Sequence, residues 1–254
     1  MRFKNAIFKR PAKTFVNGLT TQNLGKPDYE LALTQHDEYI NAFKNLGVKA
    51  IVLEPDEKFP DSCFVEDTAI VTEKAAIITN PGAETRKGEI HAIENVLKNF
   101  YSNLYYIKAP GTLDGGDVLR VDNKFYIGLS KRTNRDGAEQ IKQILENLGY
   151  NAFFIQLKKY LHLKTGITYL GNNTLLIAGE LKENSIFNEY KKIFVPDEED
   201  YVANSIMVNG TLFIAKGFPR TKRKLEDESF KLIELDMSEF RKIDGGLSCL
   251  SLRF

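Results

Sequence analysis

Near its end the chain reads Asp244-Gly-Gly-Leu-Ser-Cys249-Leu-Ser-Leu-Arg-Phe254, which sets one cysteine between a Gly-Gly turn and a short apolar strand. Glycine lets another group approach the backbone closely, so a thiol there can be reached by a ligand and act as a nucleophile. A buried structural cysteine fits the same segment. Other chemistry-bearing residues stand on similar turn-then-strand segments: Glu66 and Asp67, Asp114 and Asp117, His162, and Asn204. An imidazole near a thiol can move protons for it. Several carboxylates gathered together require a cation, because unpaired buried carboxylates are costly. A metal is the weaker choice, since one histidine and one cysteine are at hand and neither C-x-x-C nor H-E-x-x-H occurs. A guanidinium suits better, because its planar fork of donors matches carboxylates bidentately. Held rigidly, its central carbon would face the thiolate, and its charge would favour the ionised thiol.

The elements that must position these residues recur. A strand at 5–8 is followed by a helix starting near Pro27-Asp28 and ending at Leu46, with Tyr29, Leu33, His36, Ile40 and Phe43 on its apolar stripe. His36 therefore reads as structural. After a strand at 48–53, the pattern is polar turn, hairpin, helix, strand. Hairpins are expected at 68–79, 118–128, 167–178 and 205–215, the last turning at Asn209-Gly210. Helices are expected at 85–100, 136–148, 184–191 and from Arg220, and strands at 152–157, 193–195 and 230–235. The unit returns about every 45 to 50 residues, a period that points to a ring or stack of similar units. The last unit, at 247–252, is cut short, and the strand at 5–8 would complete it and close a ring. Equivalent positions before each hairpin would then meet near the axis. One domain over residues 1–254, with five-fold pseudosymmetry, is expected.

The composition is that of an ordinary globular chain. Of 254 residues, 43% are hydrophobic and 27% charged, and the net charge is +1, which gives no global sign of nucleic-acid or anionic-membrane binding. The charged N-terminus has no apolar core of a signal peptide, and no apolar run is long enough to span a membrane. Two cysteines, Cys63 and Cys249, make no disulfide framework, so a reducing, cytoplasmic setting is expected. Cys63 is assigned no chemistry.

Five motifs together carry a resemblance: Asp61-Ser-Cys-Phe-Val-Glu66-Asp67, Thr112-Leu-Asp114-Gly-Gly-Asp117, Gly128-Leu-Ser-Lys-Arg132-Thr-Asn, Leu161-His162-Leu-Lys164 and Lys242-Ile-Asp-Gly-Gly-Leu-Ser-Cys249. Their order and spacing resemble the dimethylarginine dimethylaminohydrolase family of guanidino-modifying enzymes. The resemblance implies an α/β fold, the five-bladed pseudosymmetric α/β-propeller or pentein fold built from ββαβ repeats. It implies hydrolysis of Nω-methylated arginine to citrulline through a covalent adduct on Cys249, with His162 as general acid and base and Asp114 orienting it. Glu66 and Asp67 would hold the guanidinium, with Phe64 near its face. Arg86 and Arg132 would take the substrate α-carboxylate, and Asp61 with the carbonyls of Leu19 and Ile243 the α-amino group. The loop at 17–25 would be a lid. No cofactor and no metal are implied, and the partner is a small guanidino molecule rather than nucleic acid or membrane; a homodimer is compatible with this reading. Arginine deiminase chemistry on the same fold and a non-catalytic pentein-like binding protein are the alternatives. Lys164 reads as an ion-pair partner, and Asp117, Asp244 and Asn204 as turn residues that bond their own backbone.

Overall fold

The computed structural model describes residues 2–254. Strands β1 (Asn5–Lys9) and β2 (Lys49–Leu53) flank helix α1 (Tyr29–Asn45). The Asp28 side chain caps α1 by accepting from the backbone of Leu31 at 3.0 Å, and Gly47, at φ 76°, turns the chain out of it. Next come β3 (Ala69–Val71), β4 (Ala76–Ile78), α2 (Ile90–Leu97) and β5 (Leu104–Tyr106). The third unit is β6 (Val118–Val121), β7 (Lys124–Leu129), α3 (Arg135–Asn147) and β8 (Asn151–Gln156). The fourth is β9 (Ile167–Gly171), β10 (Thr174–Ile177) and β11 (Lys191–Phe194). The fifth is β12 (Ile206–Val208), β13 (Thr211–Ala215), α4 (Pro219–Asp227) and β14 (Leu232–Leu235), followed by the short α5 (Ser238–Arg241) and β15 (Leu252–Arg253).

These strands make five three-stranded sheets of one topology: an antiparallel pair, then a parallel third strand after the crossover. The sheet β15-β1-β2 closes the ring, with Ala6 opposite Arg253 antiparallel and Ile7 opposite Ile51 parallel. The repeat read from the hairpin turns is thus the architecture observed. Asn209 and Gly210, at φ 47° and 87°, form the left-handed turn their types favour.

Two helices depart from expectation. Residues 184–191 form no α-helix; the crossover holds only 3-10 turns at Gly179–Leu181 and Ser185–Phe187. There the Asn184 side chain accepts from Ile186, which caps a single turn, and buried Phe187 pins the segment to the core. The segment expected at 85–100 starts as a 3-10 stretch, Glu84–Glu89, and is α-helical only over Ile90–Leu97. Gly88 lies in that stretch with no room for a side chain, because a Cβ there would meet the Phe59 ring at 2.3 Å.

Short 3-10 turns precede the first strand of every unit: Val65–Thr68, Gly115–Asp117, Leu163–Thr165, Asp197–Ala203 and Ser248–Leu250. They cluster about the axis at one end of the ring.

His36 is fully buried on α1 beside Phe8 and Phe240, and neither ring nitrogen has a hydrogen-bond partner. Burial lowers its pKa to about 4 from an ordinary value of 6.5. The unfolded chain therefore takes the proton first: the contribution of neutral His36 is complete above pH 6.5 and is lost as pH falls towards 4. Urea midpoints measured across this range should fall less steeply for His36→Leu than for the parent, by roughly 3 kcal/mol at the acid end. Parallel pH profiles for the two proteins would refute this.

Candidate active site

The turns at the axis bury backbone N–H groups that no sheet ladder satisfies, and side chains of the preceding unit accept them. Asp67 Oδ1 accepts from Gly116 N at 2.8 Å, Asp117 Oδ1 from Leu163 N at 2.9 Å, Thr168 Oγ1 from Ser205 N at 3.1 Å and Asn204 Oδ1 from Ser248 N at 2.9 Å. Asp117 and Asn204 therefore bond the next unit rather than their own turns, which corrects the sequence reading. Long-range partners of this kind leave no mark in local spacing.

Because the turns are tight, neighbouring residues face opposite sides of the floor they form. Asp67, His162 and Cys249 line a small cavity on one side. Leu19, Asp61, Phe64, Arg86, Arg132 and Ile243 line it too, joined by Leu161, Asp244 and Gly245. Asp114 lies just behind this wall, fully buried, with Oδ2 3.0 Å from His162 Nε2 and Oδ1 accepting from Gly82 N at 2.8 Å. Glu66 faces away from the cavity. Its Oε1 pairs with Lys164 at 2.6 Å and Arg253 at 2.8 Å, and its Oε2 accepts from Ser248 Oγ at 2.6 Å. The structure thus separates Glu66 from Asp67, which the resemblance sets side by side on a guanidinium, and gives Lys164 the ion-pair partner expected of it. Cys63 is buried and free of the site.

Burial raises the Cys249 thiol to about 12, and the nearby charges of Glu66 and Asp67 push the same way. Burial works against a charged His162, but Asp67, the bond to Asp114 and Asp117 outweigh it and raise its pKa to about 9. Burial likewise opposes ionised Asp114, and the His162 bond and charge hold it below the ordinary carboxylate range. Near neutrality the resting pair is a neutral thiol and a cationic imidazole.

The two arginines differ. Arg86 is buried, lines the cavity and has most of its donors engaged: Nη1 with Asp67 at 2.6 Å, Nη2 with Glu89 at 2.8 Å and the Phe64 carbonyl at 3.1 Å. Glu89, missed in the sequence, stands three residues on from Arg86, the spacing at which helical side chains pair. Arg132 also lines the cavity; its Nη1 lies 3.7 Å from Asp114 Oδ2 and has no hydrogen-bond partner. Asp61 Oδ1 accepts from Leu19 N at 3.0 Å, and burial raises its pKa.

The cavity is about 30 Å³, room for a single water rather than an amino acid. Its cover is the loop after Gly18. Thr21 N donates to Asp244 Oδ2 at 2.6 Å, Gln22 Nε2 to Asp244 Oδ1 at 2.8 Å, and Thr20 Oγ1 to the Lys242 carbonyl at 2.9 Å. Asp244, at φ 59°, is thus a latch rather than a residue bonding its own turn. A cavity of this size admits no amino-acid ligand unless its lining moves.

Asp67, Asp114 and His162 also bring potential metal-ligating atoms within 4.8 Å of one another. Their oxygens and Nε2 already serve Gly116 N, Arg86, Gly82 N and each other. The arrangement is that of a proton-handling cluster next to a thiol.

A model of the eukaryotic N,N dimethylarginine dimethylhydrolase family matches residues 12–215. The N(G),N(G)-dimethylarginine dimethylaminohydrolase of Pseudomonas aeruginosa is 49% identical over 253 residues, covering 99% of this chain and 100% of that one. The chain belongs to the dimethylarginine dimethylaminohydrolase family. A second member, from Streptomyces coelicolor, is 34% identical over 255 residues, covering 100% of this chain and 98% of its own. The solved structure of the Pseudomonas family member, a cysteine-to-serine mutant complexed with citrulline, superimposes with a TM-score of 0.98 at 48% identity over the whole of both chains. The five-bladed α/β-propeller expected from the resemblance is the fold of this chain.

Two outcomes follow from the site's charges. Iodoacetamide should alkylate Cys249 slowly at pH 7 and faster through the alkaline range, with Cys63 protected in the folded protein, as mass spectrometry of peptides would record; labelling at pH 7 as fast as that of free cysteine would contradict the raised thiol pKa. In Asp114→Asn the imidazole loses a carboxylate partner, so the His162 titration read by NMR should move down from about 9.

Proposed function

We propose that this chain hydrolyses asymmetric dimethylarginine and monomethylarginine to L-citrulline and dimethylamine or methylamine. The observation that carries the reading is the meeting of Cys249, His162 and Asp67 on one small cavity. Membership of the family supports it, as does the citrulline complex of the Pseudomonas relative. A histidine-to-glycine dimethylarginine dimethylaminohydrolase, 48% identical, forms an adduct with S-methyl-L-thiocitrulline, which supports covalent chemistry in this family.

The substrate guanidinium would sit against Asp67, with Phe64 beside it. Arg132 would take the α-carboxylate, while Arg86 holds Asp67 in place. Asp61 and the carbonyls of Leu19 and Ile243 would receive the α-amino group once the latch recloses. Burial and the nearby carboxylates hold up the Cys249 pKa; the arriving cation offsets the carboxylates, so the thiolate forms when substrate is present and its proton passes to solvent. The thiolate sulfur then bonds to the central guanidinium carbon. As the bond from that carbon to the methylated nitrogen breaks, cationic His162 gives its proton to the departing amine. His162 Nε2 is held by Asp114, so Nδ1 is the working nitrogen. A thiouronium cation remains on Cys249. Water adds to its carbon and yields a proton to the now neutral His162. The C–S bond breaks with its electron pair on Cys249, the second water proton goes to solvent, and citrulline is left.

The chemistry needs no cofactor, and residues 1–254 act as one catalytic unit. No helix among the described residues is long and apolar enough to cross a membrane. Two free cysteines suit a cytoplasmic setting.

Citrulline formation from dimethylarginine, monomethylarginine and arginine, measured side by side, tests this reading. The methylated substrates should be turned over in preference, and Cys249→Ser should lose about a thousand-fold or more in kcat. Preference for unmodified arginine would make the protein a deiminase, and no turnover of any of the three would overturn the assignment.

A further inference from the structure

Behind the catalytic floor, on the other side of the ring, lies a cavity of about 240 Å³. It is the axial channel between the first strands of the five units, and it opens where the hairpins turn at Asp122 and Gly171. Its walls are mostly apolar, with Ile70, Val118, Ile167, Ile206 and Leu252 among them and Thr168 and Ser205 between. Its floor is charged. Lys164 and Arg253 reach it, and the only carboxylate paired with either among the described residues is Glu66. At the mouth Arg120 pairs with Glu73 at 2.9 Å and donates to the Asp122 carbonyl at 2.9 Å, while the base of the cavity holds two cations against one carboxylate. Both cations are mostly buried, with 15% of each side chain exposed, so a charge brought to them is weakly screened.

We propose that this far-side cavity is a second ligand site, built for a small monoanion with an aromatic or branched apolar body. The anionic group would pair with Lys164 at the floor, where Arg253, its guanidinium engaged by Glu66, Ser248 and Ser251, adds a second positive charge, and the body would fill the channel between the strands. The size fits: a cavity near 150 Å³ takes up benzene, and the remaining space accommodates a carboxylate. A polar anion alone would leave the apolar walls wet, and a cation would be repelled by the floor. The occupant would also be felt at the catalytic cavity. Glu66 and Ser248, which close the channel, are the chain neighbours of Asp67 and Cys249, and an anion that shares Lys164 leaves Glu66 less neutralised beside the thiol.

Phenylacetate is a suitable probe, titrated calorimetrically into the whole protein, with phenethylamine as its cationic counterpart. Saturable one-to-one binding of phenylacetate is expected, undiminished after Cys249 has been alkylated with iodoacetamide. At least ten-fold weaker binding is expected both in Lys164→Gln, which removes the floor charge, and in Met207→Trp, which fills the channel from a half-buried wall position and leaves the floor intact. Alkylation of Cys249 in the parent should slow when phenylacetate is bound. No saturable binding, equal binding of phenethylamine, binding lost on alkylation of Cys249, or binding unchanged in Met207→Trp would each overturn the proposal. None of these readouts involves turnover, so they stand or fall apart from the hydrolase reading.

Discussion

Five turns converge at the axis of the ring, and their buried N–H groups must find acceptors where no strand can supply them. At four of the five junctions a unit lends a side chain to the next: Asp67 to Gly116, Asp117 to Leu163, Thr168 to Ser205, Asn204 to Ser248. An unsatisfied buried N–H costs about 1–3 kcal/mol, so these acceptors hold the turns in register. The polar centre of the ring is therefore structural before it is chemical. Asp67 does both, since one oxygen fixes the neighbouring turn and the other is bound by Arg86 beside the catalytic cavity.

The same carboxylates set the resting state of the site in opposite senses for its two reactive groups. Negative charge near a histidine keeps it protonated, and negative charge near a thiol keeps it protonated too. His162 is thus ready to give a proton while Cys249 is not yet a nucleophile. In the proposed reaction the arriving cation would change the second condition, so selectivity for cations would be built into activation as well as into binding.

The ring was legible in the sequence because its hairpins announce themselves through turn residues, as at Asn209-Gly210, and because the polar turns return at a regular interval. Cys249, His162 and Asp67 were legible as a group once that period placed them at equivalent positions. What stayed hidden depends on which way a side chain points from a tight turn. Glu66 and Asp67 are adjacent in sequence yet lie on opposite sides of the floor. Arg86, expected at the substrate α-carboxylate, does line the cavity, but its pairing with Asp67 leaves no mark in local spacing. The crossover at 184–191 has helix-like spacing but is too short and too polar to propagate, and one buried phenylalanine suffices to hold it.

Four of the five sheets are made of strands close together in the chain; the fifth joins β15 to β1 across nearly its whole length. Closing a loop that long carries the largest entropic cost of any sheet, so that sheet is the slowest to gain its contacts during folding. Cys249 stands three residues before β15. A chain with its ring still open would have its acids and His162 roughly in place and its thiol on an untethered strand. Competence for chemistry is thereby tied to topological completion, and accessibility of this one sulfur to alkylating reagents during refolding becomes a direct clock for closure of the ring.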